Sequence, residues 1–73
     1  MKEIQLQTEY ITLGQLLKIA GVIQTGGQAK WFLQEHAAVI TVNGVTENRR
    51  GKKLYPADVV VIADVGEFKL VAA

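Results

Sequence analysis

The spacing of apolar residues changes twice along this chain. Lys2 to Gln7 alternates, with Ile4 and Leu6 on one face, and predicts a short edge strand. From Leu13 the period lengthens, and Leu13, Leu16, Leu17 and Ala20 recur at helical spacing behind Thr12. Thr12-Leu13-Gly14-Gln15 has the form of a capping box, in which Thr12 serves the free amides of the first turn and Gln15 returns to the Thr12 N–H. Gly21 suits the left-handed position that ends a helix. The same signal recurs at Thr25-Gly26-Gly27-Gln28, and Ala29, Phe32 and Leu33 form the inward stripe of a second helix running to about His36. Val22 and Ile23 plug the turn between the helices.

Beyond the helices the pattern is that of strands. Val39 to Val42 is a β-branched run, Asn43-Gly44 is a strong signal for a two-residue hairpin turn, and Val45 to Asn48 is the return strand. Tyr55-Pro56-Ala57-Asp58 predicts a turn, with Pro56 fixing the backbone and Asp58 bonding its own main chain. Val59 to Ala63 reads as a buried strand, Val65-Gly66 as a turn, and Glu67 to Val71 as a strand with Phe68 and Leu70 on one face. The expected fold is α+β, a helix-turn-helix pair packed on a small, mostly antiparallel sheet. Without linker, repeat or low-complexity stretch, residues 1–73 read as one domain.

Composition narrows the chemistry. A chain of 73 residues lies near the lower limit for a self-supporting core, and with no cysteine it has neither disulfides nor a thiolate metal site. His36 is the single histidine, placed near a helix end where its charged form suits the dipole, and the carboxylates are scattered, so no metal site is expected. No Ser–His–Asp arrangement is evident and the chain is short for a water-excluding cleft, so the expectation is a non-enzyme without cofactor or small-molecule substrate. The N-terminal MKEIQLQTEY lacks the apolar core of a signal peptide, and no apolar run approaches the roughly 20 residues that span a bilayer. A soluble cytoplasmic protein is expected.

Charge alters the picture through its distribution. The net charge is only +1, yet the segment from Tyr10 to Pro56 sets six basic residues against Glu35 and Glu47 and carries +4, while the two ends together carry −3. Four of the basic residues, Arg49, Arg50, Lys52 and Lys53, fall within five positions. One reading is a solvated hairpin edge whose cations discourage sheet-to-sheet pairing. The favoured reading is phosphate contact: arginine offers a planar fork, lysine a point charge, and Gly51 lets the backbone approach a ligand closely. Lys18, opposite the Leu16–Leu17 face, joins the basic surface or is simply a solvated helix position. Gln24, Thr25 and Gln28 surround two glycines at a helix start, which suits either an anion or plain capping and close packing. No Gly-Lys-Ser/Thr follows, so this is not a nucleotide-hydrolysing phosphate loop. Trp31 and Tyr55 each have two readings, as base-stacking groups or as covers over a small core.

The run ITLGQLLKIAGVIQTGGQAKWFL, followed by VNG and RRGKKLYPADVV, resembles the RNA-binding domain first seen in ribosomal protein S-four, the alpha-L motif. It is most similar to the small stand-alone YaaA-type members of that superfamily. The resemblance covers about Ile11 to Val60 and rests on the ordered combination rather than on any single piece. It implies structured RNA, above all ribosomal RNA, as partner, and a role around ribosome assembly or translation. The two-helix face would lie against an RNA bend, with Arg49, Arg50, Lys52 and Lys53 on phosphates and Gln24, Thr25 and Gln28 approaching through polar groups. Departures are specific. The family's Arg-Leu-Asp at the first helix is Thr12-Leu13-Gly14 here, its Ser-Arg at the second is Thr25-Gly26, its Gly-Asp turn is Ala57-Asp58, and the stretch 36–43 is slightly longer. With two helix arginines missing, RNA binding is expected to lean on Lys30, the helix N-termini and the Arg49–Lys53 cluster.

Two other classes compete. A β-grasp sulfur carrier is also short and cysteine-poor, but needs a terminal Gly-Gly where this sequence reads Val71-Ala72-Ala73. A protein-interaction adaptor would instead present its basic face to an acidic partner.

Overall fold

In the computed structural model, residues 1–35 and 39–73 are described. Among the described residues nine elements follow one another: β1 (Lys2–Leu6), β2 (Ile11–Thr12), α1 (Leu13–Ile19), α2 (Gly26–Glu35), β3 (Ile40–Val42), β4 (Val45–Thr46), β5 (Lys53–Leu54), β6 (Val59–Ile62) and β7 (Gly66–Ala72). The main sheet has the order β1-β7-β6-β3-β4. Its pairings are antiparallel except at β1, which runs parallel to β7 from Lys2↔Phe68 to Leu6↔Ala72. β1 is thus an edge strand, as its alternation predicts. The α+β expectation holds: two helices pack on a mixed sheet in which antiparallel pairing predominates.

Each predicted apolar face finds the same core. Ile4, Leu6, Ile40, Val42, Val60, Ile62, Phe68 and Leu70 come from the sheet, and Leu13, Leu16, Leu17, Ala29 and Leu33 from the helices. Ile23 is buried between the helices, while Val22 and Phe32 pack against the cluster from its margin. Period two puts Phe68 and Leu70 inward and leaves Glu67 and Lys69 outside. The expected end of the second helix at His36 lies outside the described residues.

Local chemistry places the breaks. Thr12 and Gln15 form the full capping box: the Gln15 N–H donates to Thr12 Oγ1 at 3.3 Å and the Thr12 N–H to Gln15 Oε1 at 2.8 Å. At α2 the glutamine half is present, with Gln28 Oε1 accepting from the N–H groups of Gln24 and Thr25 at 2.6 and 3.0 Å. Asn43 and Gly44 have φ of 53° and 84°, the positive pair that a twist-matched hairpin turn requires.

The turn at Tyr55–Asp58 is more constrained than its sequence suggests. The Asp58 N–H donates to the Tyr55 carbonyl at 3.0 Å, and Asp58 Oδ2 accepts the Tyr55 N–H at 2.8 Å. Ala57 and Asp58 both face Leu70: the Ala57 N–H donates to the Leu70 carbonyl at 2.7 Å, and the Leu70 N–H donates to the Asp58 carbonyl at 2.9 Å. Two residues opposing one make a β-bulge, whose first residue favours glycine. Here it is Ala57, with φ of 79°. A Cβ in this region costs about 1–2 kcal/mol, against which glycine loses roughly 0.4–1 kcal/mol through the unfolded chain. Ala57→Gly is therefore expected to raise stability by about 0.5 kcal/mol, read as a small rise in the thermal midpoint; a fall would contradict strain at this position.

Candidate functional site

The site begins where β2 becomes α1. The two residues of β2 pair antiparallel with β5, Ile11 opposite Leu54 and Thr12 opposite Lys53. This second, two-stranded sheet carries the basic segment onto the start of α1. The Leu13 N–H donates to the Lys52 carbonyl and the Gly14 N–H to the Arg50 carbonyl, each at 2.9 Å. With the capping box, every N–H from Thr12 to Gln15 is bonded within the protein. That corrects one expectation. The α1 N-terminus has no spare donors for a phosphate, because the basic loop and two side chains have consumed them.

Gly14 lies at the centre of this approach. A Cβ there would lie 3.4 Å from the Arg50 carbonyl oxygen, 3.6 Å from Arg50 Cβ and 3.7 Å from Ala29 Cβ. α1, α2 and the basic loop therefore meet at one point. The four clustered cations point to two different concavities. Arg50 and Gly51 line a cleft of about 340 Å³ together with Thr12, Gln15, Lys18 and Gly26. Arg49, Lys52 and Lys53 line a groove of about 460 Å³ with the β3–β4 hairpin, Glu47, Tyr55 and Asp58. Of the other residues singled out in the sequence, Gln24, Thr25, Gln28 and Lys30 are exposed around the first turns of α2 and line neither hollow. The Gln24 and Thr25 N–H groups are held by the Gln28 side chain, and both residues are exposed.

Arg49 differs from its three neighbours. Its Nε donates to Glu47 Oε2 at 2.9 Å, its Nη2 to Glu47 Oε1 at 3.1 Å, and its backbone N–H to Oε2 at 3.0 Å. The Glu47 side chain is 10% exposed and that of Arg49 70% exposed. The Arg49 hydrogen bond holds the Glu47 carboxyl down to about 2, from an ordinary 4.5, against the opposing effect of burial. Arg49 thus anchors the loop while its outer edge faces water. In the sequence Glu47 counts only as a charge; residues two apart share one side of an extended chain, and that is the only local mark of the fork.

A model of the S4 domain family matches residues 4–71. The chain belongs to the S4 domain family. A curated relative, the "Probable ribosome maturation protein RlbA" of Bacillus subtilis (strain 168), is 57% identical over 68 residues, covering 93% of each chain. The resemblance drawn from residues 11–60 therefore extends to nearly the whole sequence.

Within this S4 domain the aromatic residues are also assigned. Trp31 is 65% exposed, so it does not cover the core. Tyr55 is exposed as well, with its ring centroid 5.7 Å from that of Tyr10, a residue that sequence reasoning passed over. Among the described residues no group of three or more His, Asp or Glu side chains is placed to hold a metal ion, and no helix is long and apolar enough to cross a membrane.

Two stability outcomes follow from this construction. Gly14→Ala is expected to be near neutral, whereas Gly14→Leu forces the Arg50 carbonyl away and costs about 1–3 kcal/mol in denaturant unfolding; equal stability of the two would remove the three-way contact. Protonating Glu47 discharges the fork, so its contribution is complete above about pH 4.5 and is lost as the pH falls toward about 2. Because Arg49 faces water, screening keeps that contribution small. Glu47→Gln is expected to cost about 1 kcal/mol at neutral pH and to flatten the fall in stability on acidification. An acid limb as steep as that of the wild type would exclude Glu47 as its source.

Proposed function

We propose that this S4 domain is an RNA-binding module that grips the phosphates of structured ribosomal RNA during the maturation of ribosomal particles. The observation that carries the reading is the seating of the basic loop. Its carbonyls are bonded to the α1 N-terminus, so Arg50 and Lys52 leave the protein at fixed points over two neighbouring hollows. A cation held in place loses less entropy on meeting a phosphate than one on a free loop. The missing helix arginines are offset by Lys18 beside Arg50 in the first cleft, and by Lys30 and the exposed polar groups of Gln24 and Thr25 at α2. The partner is thereby read through the path of its backbone, as shape, rather than through base edges. The ribosomal assignment rests on the name of the B. subtilis relative and the high identity to it. Such a protein binds without catalysing a reaction and works in the cytoplasm.

The test compares wild type with a variant in which Arg50, Lys52 and Lys53 are all Ala, using ribosomal RNA fragments across a salt series. Arg49 is left in place, because removing it strands the Glu47 carboxylate. If each of the three meets one phosphate, at roughly 0.7 in slope per contact, the slope of log affinity against log salt becomes shallower by about 2. Equal affinity and equal slope would overturn the phosphate reading. Co-sedimentation with ribosomal particles then tests the ribosomal assignment by itself.

A further inference from the structure

The outward face of the small β2–β5 sheet carries two exposed aromatic rings. In an antiparallel ladder, neighbours alternate between faces. Leu54 is fully buried and its partner Ile11 packs against the core, so the flanking positions on both strands turn outward. Those positions are Thr12 and Lys53 on one side and, one step beyond the last pair, Tyr10 and Tyr55 on the other. The two rings lie 5.7 Å apart at 48°, and Lys53 Nζ sits 5.0 Å from the centroid of the Tyr10 ring. Tyr10 is 37% and Tyr55 46% exposed. Two aromatic rings are thus left facing water in a chain with only five aromatic residues.

We propose that Tyr55, backed by Tyr10, is a stacking platform for one unpaired nucleobase of the bound RNA, with Lys53 set to take the phosphate of the same nucleotide. The inference rests on the RNA-binding reading and adds to it a contact that depends on an unpaired base. Three features favour it. The Tyr55 backbone is held from both sides, by the β5 pairing before it and by the Asp58 carboxylate on its own N–H, so the ring is presented by a rigid support. Lys53 already lies over the face of Tyr10, which leaves Tyr55 as the more open ring. The platform also borders the groove that holds Arg49, Lys52 and Lys53, so a strand whose phosphates follow that groove brings its bases past Tyr55. Stacking on an aromatic side chain contributes about 1–3 kcal/mol per base, and cation–π contact of the kind seen on Tyr10 is compatible with it.

The experiment uses two RNA probes: a fully paired hairpin, and the same hairpin with one bulged 2-aminopurine nucleotide. Affinity is measured by titration, and stacking by quenching of 2-aminopurine fluorescence. Wild type is expected to bind the bulged probe more tightly and to quench it. Tyr55→Leu is expected to lose fivefold or more on the bulged probe, the lower end of the stacking range, and less than twofold on the paired one, with the salt slope unchanged. Tyr55→Phe, which keeps the ring, is expected to behave as wild type. Thermal unfolding of both variants checks that the fold is retained. If Tyr55→Leu matches wild type on both probes while the Arg50/Lys52/Lys53 variant has a shallower salt slope, the platform is overturned and the phosphate reading stands. An equal loss on both probes likewise overturns it. If wild type binds neither probe nor any ribosomal RNA fragment, the RNA-binding reading falls and the platform with it.

Discussion

The placement of the whole basic surface depends on how the first turn of α1 is satisfied. A helix start leaves donors without partners, and an internal helix cannot leave them bare at low cost. This chain answers with Thr12 and Gln15 locally and with the Arg50 and Lys52 carbonyls from almost forty positions away. The long-range half of that cap is also the device that fixes a strongly cationic loop. Self-repulsion among Arg49, Arg50, Lys52 and Lys53 would otherwise favour an open, mobile excursion. Two backbone hydrogen bonds, the β2–β5 ladder and the Arg49–Glu47 fork oppose it.

Seating the loop in this way separates charges that the sequence presents as one cluster. Arg50 is directed toward the helix pair, and Arg49, Lys52 and Lys53 toward the hairpin side. Arg49 spends one edge of its guanidinium on Glu47 and so serves the fold as much as any partner. A nearly neutral small protein thereby presents concentrated positive potential without carrying a large net charge. The same β2–β5 ladder, by keeping Ile11 and Leu54 inward, is what leaves Tyr10 and Tyr55 facing solvent beside those cations.

Much of the architecture was legible because local chemistry and tertiary structure agree. The capping box at Thr12, the Asn43-Gly44 turn, the stripe of Ala29 and Leu33 and the alternation of Phe68 and Leu70 all appear where spacing puts them. Parallel pairing of β1 with β7 was not legible, because a strand's partner is chosen by the closure of the whole sheet and leaves no local mark. Nor was β2: two residues directly before a helix cap carry no periodicity, and only their partners in β5 make them a strand. Ala57 shows the opposite case: the sequence allowed a turn, but apart from the glycine that the family pattern has at this place nothing marked the left-handed backbone that a bulge against Leu70 imposes.

The sequence by itself determined the two helices, the strands of the main sheet, most of the core and the presence of a basic segment, since caps, turn chemistry and period are properties of neighbours along the chain. The tertiary structure alone decided what those cations can reach. Which carbonyl bonds which helix amide, which arginine is held by a buried carboxylate and which tyrosine stays in water all depend on residues distant in sequence coming together. Such contacts form only when the core closes, and so they are specified by the fold as a whole rather than by any stretch of it.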